Sequence, residues 1–199
     1  AVVRSKLLGR FNALNMLAAT AASLAVGVEL DVIRDAIGAV ERVPGRIDAV
    51  PNERDILAFV DYAHTPDALK NVLLHAAELA KGRLVVVFGC GGDRDREKRP
   101  LMGEAVAEFA DVAIVTNDNP RTEDPDAIIG MIVPGLERGG MKAYEVISDR
   151  RAAIARAVEL ARPGDVLVVA GKGHEDYQIV GTEKRHFDDR EVLEALLKP

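Results

Sequence analysis

Asp118, Asn119, Pro120 and Arg121 follow an apolar run, Asp111 to Thr116, that reads as a buried parallel strand. In an open α/β sheet, ligands sit in the crevice outside the carboxyl ends of the strands, where loops present polar groups without disturbing the core. Arginine offers a planar donor fork that matches a carboxylate or phosphate, and Asn119 adds an amide that both donates and accepts. Pro120 restricts one φ angle of the loop. Two readings of the tetrapeptide stand side by side: an anion-recognition loop, and a connecting loop whose arginine pairs with a surface carboxylate.

Three further clusters follow apolar runs. Asp61 and His64 suit a nucleoside, the carboxylate accepting from ribose hydroxyls and the imidazole stacking on a base, although a lone histidine is as readily structural. The stretch Gly89 to Arg96 contains three glycines but is a poor phosphate loop. A dinucleotide fingerprint needs a glycine where Arg94 stands, and no Gly-Lys-Ser/Thr ending occurs in the 199 residues. The glycines are therefore assigned to a tight turn and Arg94 to ligand contact. Lys98 and Arg99 read as a solvated face, or as partners of Glu97 and Glu104, ahead of a direct ligand role. In Gly171-Lys-Gly-His-Glu175 a glycine-flanked, exposed loop does little to tune acid–base groups, so binding is preferred to catalysis. Glu175 would take a substrate ammonium while Arg94 and Arg121 hold its carboxylate, an arrangement suited to a zwitterionic amino acid.

The elements that must carry these loops alternate in type. Phe11 to Val28 is rich in alanine and leucine and reads as a helix, with Asn12 and Asn15 on one face near its start. Those two asparagines either serve a ligand or divide between a cap and solvent. A short helix covers Asp31 to Val40, and Val43-Pro44-Gly45-Arg46 marks a domain boundary. Strands are expected at 47–50, 56–62, 83–88, 111–116, 144–147 and 165–170, with helices at 65–80, 99–109, 126–137 and 150–161. A weak hairpin over 177–187 turns at Gly181-Thr182, and Asp188 or Asp189 caps a terminal helix. This is the pattern of βαβ units in a layered α/β domain with a mostly parallel sheet.

A net charge of -6 argues against nucleic acid as a partner, so an anionic ligand must be held by a local arginine cluster. One cysteine, Cys90, excludes an internal disulfide. Arg4, Lys6 and Arg10 precede an apolar stretch, but Asn12 and Asn15 interrupt it and its apolar part is mostly alanine, which rejects a signal peptide. No window suits membrane insertion. The opening alanine hints at a piece of something longer.

Four motifs in order, Asp-Tyr-Ala-His-Thr-Pro at 61–66, Gly-Gly-Asp-Arg-Asp at 91–95, Asp-Asn-Pro-Arg at 118–121 and Gly-Lys-Gly-His-Glu at 171–175, resemble the Mur ligases. These are the ATP-dependent ligases that build the peptidoglycan stem peptide. The resemblance implies a Rossmann-like C-terminal ligase domain over 44–199, preceded over 1–43 by helices from the end of a central ATP-binding domain. It implies a cytoplasmic enzyme that adds meso-diaminopimelate to UDP-N-acetylmuramoyl-L-alanyl-D-glutamate through an acyl phosphate, with ATP as co-substrate and Mg2+ held mostly outside this stretch. Arg94, Asp118, Asn119, Pro120, Arg121, Gly171 and Glu175 would bind diaminopimelate, with the arginines on its distal carboxylate. Asn15, Arg46, Asp61 and His64 would contact the nucleotide. Relatives that add lysine lack the arginine of Asp-Asn-Pro-Arg, so Arg121 points to diaminopimelate. Competing expectations are a lysine-adding or folate-extending ligase, a Rossmann-type oxidoreductase, and a non-catalytic binding module.

Overall fold

The computed structural model describes residues 2–198, and the chain divides into two compact units, Ala1–Pro44 and Gly45–Pro199. In the first unit, α1 (Arg10–Ala25) is followed by α2 (Leu30–Ala39). Gly27, at φ 86°, supplies the left-handed turn between them. Ile33 and Ile37, one helical turn apart, are buried on α2, whereas Leu14, Leu17 and Leu24 of α1 are exposed.

The second unit holds a six-stranded sheet: β1 (Asp48–Val50), β2 (Leu57–Asp61), β3 (Leu84–Phe88), β4 (Val112–Val115), β5 (Tyr144–Val146) and β6 (Val166–Ala170), in the order β1-β2-β6-β3-β4-β5. All pairings are parallel except β1 with β2. The connection between β1 and β2 is too short for a crossover, so the chain doubles back and β1 becomes an antiparallel edge. Asn52 closes that hairpin, its amide donating to the carbonyls of Val50 and Ile56 at 3.2 and 3.1 Å.

Helices cover both faces. On one lie α3 (Pro66–Leu79), α4 (Lys98–Phe109) and α5 (Pro125–Arg138), and on the other α6 (Arg150–Leu160) and α7 (Asp189–Leu197). Every residue of β3 and β6 is buried, which is why both runs are apolar without alternation. Val85, Val87, Leu167 and Val169 pack with Ile154 and Ala157 of α6 and Leu193 of α7. Their odd-even partners along the strands face the opposite helical layer. Between α4 and α5, a side chain at Gly135 would overlap the Pro100 carbonyl, so this glycine sets how closely the two helices approach.

Local capping follows the sequence. Thr65 and Asp124 each precede a first-turn proline and accept from Ala68 N and Asp126 N, while Asp188, not Asp189, caps α7. The hairpin β7 (Tyr177–Val180) and β8 (Glu183–His186) turns at Gly181 and lies outside the main sheet. No helix among the described residues is long and apolar enough to cross a membrane.

Candidate functional site

The strand order places the carboxyl ends of β2, β6, β3 and β4 side by side, so the four loops singled out from the sequence converge on one edge. They surround a cleft of about 550 Å³, lined among others by His64, Arg94, Asp118, Arg121 and Glu175.

The Asp-Asn-Pro-Arg loop is held rigidly. Arg121 has a left-handed backbone, φ 53°, an unusual conformation for a non-glycine residue. The hairpin clamps it there: Arg121 N donates to Ile179 O at 3.1 Å and Arg121 O accepts from Gly181 N at 2.7 Å. Gln178 donates from its side chain to Asp118 O at 2.7 Å, and Ile179 N donates to Asn119 Oδ1 at 2.9 Å. The Arg121 guanidinium uses NH1 on the Gly92 carbonyl at 2.8 Å. Its Nε and NH2 have no acceptor among the described residues, leaving the edge that grips a carboxylate in bidentate fashion. Arg94 is exposed and donates from NH1 to Asp93 O at 3.0 Å.

Acceptors face the same cleft. Asp118 is 7% exposed and its carboxylate receives no hydrogen bond from the described residues. Glu175 accepts from Asn119 Nδ2 at 2.8 Å and Lys172 Nζ at 3.4 Å, both through Oε2, which leaves Oε1 without a donor among the described residues. Gly171, at φ 118°, brings the backbone against Asp118, so a side chain there would collide with Asp118 Oδ2. Pro120 is buried under the loop.

At the β2 end, Asp61 is buried and uses its two oxygens on backbone donors, Ile47 N at 2.7 Å and Ala63 N at 2.8 Å. Burial raises its carboxyl above the ordinary value. His64 is exposed, and its Nδ1 lies 2.8 Å from the Tyr62 carbonyl, so Nδ1 carries the proton and Nε2 is an acceptor in the neutral ring. The Tyr62 ring lies 4.5 Å from the His64 ring and 5.0 Å from that of His174, with the Arg46 guanidinium 5.3 Å over it. These groups form an exposed stacking surface beside the cleft. Asn15 belongs to the other unit and is exposed, while Asn12 donates to Leu8 O at 2.7 Å and is buried.

Several expectations are corrected by packing. The glycines at 89 and 92 do not serve chiefly as a turn. A side chain at either would overlap the carbonyls of Thr116 or Pro120, so glycine is what lets the two neighbouring loops touch. Arg99 is not solvated. It is fully buried and forms a bidentate pair with Glu123 at 3.0 and 2.7 Å, while Lys98 donates to His64 O at 2.8 Å and Glu104 pairs with Arg138. Lys172 is not exposed either; its side chain is wholly buried. Burial pushes the Cys90 thiol up to about 12, so it is a protonated packing residue at neutral pH. Among the described residues, no group of three or more His, Cys, Asp or Glu side chains is placed to hold a metal ion.

Two supporting networks had no sequence signal. Glu123 joins the loops after β3 and β4, because beyond Arg99 it accepts from Asp93 N at 2.6 Å, and Asp93 in turn accepts from Thr122 N and Oγ1. Beneath the edge, Arg150 pairs with Asp189, both fully buried, and donates to Asn117 O and Ala170 O at 3.0 Å each. Those carbonyls belong to the residues just before Asp118 and Gly171.

The Arg99 hydrogen bonds hold the Glu123 carboxyl at about 2, well below its ordinary value of 4.5. A carboxyl whose folded value is depressed binds its proton more tightly when unfolded, so its contribution is complete above 4.5 and is lost as pH falls towards 2. Acid unfolding of Glu123→Gln against wild type is expected to show a stability gap at pH 6 that narrows between pH 4.5 and 2. A gap independent of pH would refute the charge-based origin of this stitch.

A layered α/β domain with a cleft of paired donors and acceptors at its carboxyl edge presents a candidate binding site for a ligand carrying both signs of charge. The family model described as "Mur ligase, glutamate ligase domain" matches residues 45–173. The chain belongs to the Mur ligase family. It is 54% identical to the UDP-N-acetylmuramoyl-L-alanyl-D-glutamate–2,6-diaminopimelate ligase of Geobacter metallireducens, over 98% of this chain and 41% of that relative. A solved structure of a ligase with the same name superposes with a TM-score of 0.76 at 42% identity, covering 98% of this chain and 40% of that one. The folylpolyglutamate synthase of Mycobacterium tuberculosis, solved with ADP and AMPPCP, superposes at 0.65 with 26% identity, covering 85% of this chain and 39% of that one. The chain thus spans about two fifths of the relatives it matches.

Proposed function

We propose that this chain is the amino-acid-binding part of an ATP-dependent ligase that joins meso-2,6-diaminopimelate to UDP-N-acetylmuramoyl-L-alanyl-D-glutamate. One observation carries the reading. The cleft combines a free guanidinium edge on Arg121 with free acceptors on Asp118 and Glu175, the complement of a diamino diacid. Arg121 and Arg94 take the distal carboxylate, Glu175 and Asp118 take ammonium groups, and Asn119, Pro120 and Gly171 fix the shape between them. The Geobacter relative is named for the same amino acid.

In such a reaction ATP phosphorylates the glutamate side-chain carboxylate, and the incoming amine attacks the acyl phosphate and expels phosphate. The residues here contribute positioning and charge complementarity, holding the amine in line rather than supplying a nucleophile of their own. ATP use by this family member is supported by the nucleotide-bound synthase, which shares the fold. Arg46, His64 and the Tyr62 ring beside them form a surface suited to a purine, with Asp61 bracing it from beneath; the role of Asn15 rests on the resemblance alone. Mg2+, which would neutralise phosphate charge, is assigned to residues outside this chain, as is the phosphate loop. The unit Ala1–Pro44 is read as the end of an ATP-binding domain, and the setting as cytoplasmic.

Calorimetric titration with meso-diaminopimelate and L-lysine tests the reading. Selective binding of the diacid is expected, with no ligase turnover by these 199 residues alone. Equal affinity for both ligands would refute the diaminopimelate assignment, and turnover would refute the division of labour between domains.

A further inference from the structure

The buried lysine of the Gly-Lys-Gly-His-Glu loop has no part in the scheme above, yet it sits directly behind two of the residues assigned to the amino acid. The Lys172 side chain is wholly buried, with Nζ 3.3 Å from Asn119 Oδ1, 3.4 Å from Glu175 Oε2 and 5.5 Å from the centre of the Tyr177 ring. Burying an ammonium carries a desolvation cost that only pairing and hydrogen bonds offset, so the two acceptors that meet Nζ are fixed by it in turn.

Asn119 Oδ1 receives two donors, Lys172 Nζ and Ile179 N, so the amide is oriented with Nδ2 towards Glu175. Glu175 Oε2 then receives both Asn119 Nδ2 and Lys172 Nζ, and Oε1 is the oxygen left for the cleft. Lys172 therefore decides which atoms of Asn119 and Glu175 are used internally and which remain for a ligand. We propose that Lys172 is a positioning residue for the incoming amino acid, acting through Asn119 and Glu175 to present Glu175 Oε1 to a substrate ammonium without touching the substrate itself. This rests on the diaminopimelate reading.

A double-mutant cycle separates positioning from simple support of the fold. Wild type, Lys172→Met, Glu175→Gln and the double variant are titrated with meso-diaminopimelate, and the thermal unfolding of each is recorded. Lys172→Met is expected to raise Kd about tenfold or more, the scale of one charge-assisted hydrogen bond, and to add little once Glu175→Gln is present. Lys172→Gln, which keeps an N–H donor without the charge, is carried in parallel and should show the same dependence on Glu175. Single losses that multiply in the double variant would overturn the positioning role. Unfolding of both Lys172 variants would assign the lysine to stability and also overturn it. Absence of binding by the wild type would instead remove the diaminopimelate reading, and this inference with it.

Discussion

Arg121→Ala is expected to weaken binding of meso-diaminopimelate about 100-fold, as befits loss of a bidentate, charge-assisted contact, while changing L-lysine binding by no more than about threefold. The asymmetry follows from geometry. The Arg121 backbone is held at φ 53° by Ile179 and Gly181, and one guanidinium nitrogen is tied to Gly92 O, so the free Nε and NH2 edge is already aimed before ligand arrives. Lysine has no second carboxylate to meet that edge. Because NH1 also bridges to Gly92, the alanine variant loosens the neighbouring loop slightly, and Arg121→Lys is the useful companion: it keeps a charge but loses the fork. Paired titrations of the three proteins with both ligands check this. Equal losses for the two ligands would show that Arg121 supports the loop rather than reading the distal carboxylate.

Arg150→Met is expected to destabilise the second unit by about 3–5 kcal/mol, because it leaves the buried Asp189 carboxylate without its partner. Asn117 O and Ala170 O lose a donor in the same step. Combining it with Asp189→Leu should recover only part of the loss: the buried charge is gone, but the two carbonyls stay unpaired at a cost of about 1–3 kcal/mol each. Urea unfolding of the single and double variants, followed by circular dichroism, measures both. A single variant within about 1 kcal/mol of wild type would mean that water enters and replaces the guanidinium.

The elements of the second unit were legible because each carries local signals that agree with its surroundings. Asp124-Pro125 and Thr65-Pro66 begin helices, Gly181 turns the hairpin, and the unbroken apolar runs of β3 and β6 mark strands covered on both faces. The four loops were legible as well, since polar residues after such runs have one place to go. What could not be read was anything decided by residues far apart in the chain. Arg99 meets Glu123 and Arg150 meets Asp189 across long separations, and neither local spacing nor composition distinguishes them from solvated charges. Lys172 was misread for the same reason: flanking glycines suggest an open loop, but the hairpin and Asn119 close over it. The strand at 47–50 was expected but its antiparallel direction was not read, because alternation alone does not give direction; the shortness of its connection to β2 does.

The place of β6 has a consequence for how the protein is made. The strands β2 and β3 share no hydrogen bonds; each pairs with β6, which is the last strand of the sheet to be synthesised. Until residues 166–170 are available, the β1–β2 hairpin and the β3–β4–β5 strands therefore have no hydrogen-bonded path to one another within the sheet, and β2 and β3 each keep an open edge. The cleft draws on both halves and on the hairpin that follows β6, so a chain ending before Val166 carries every residue of the Asp-Asn-Pro-Arg loop without the strand that joins the halves or the hairpin that clamps Arg121.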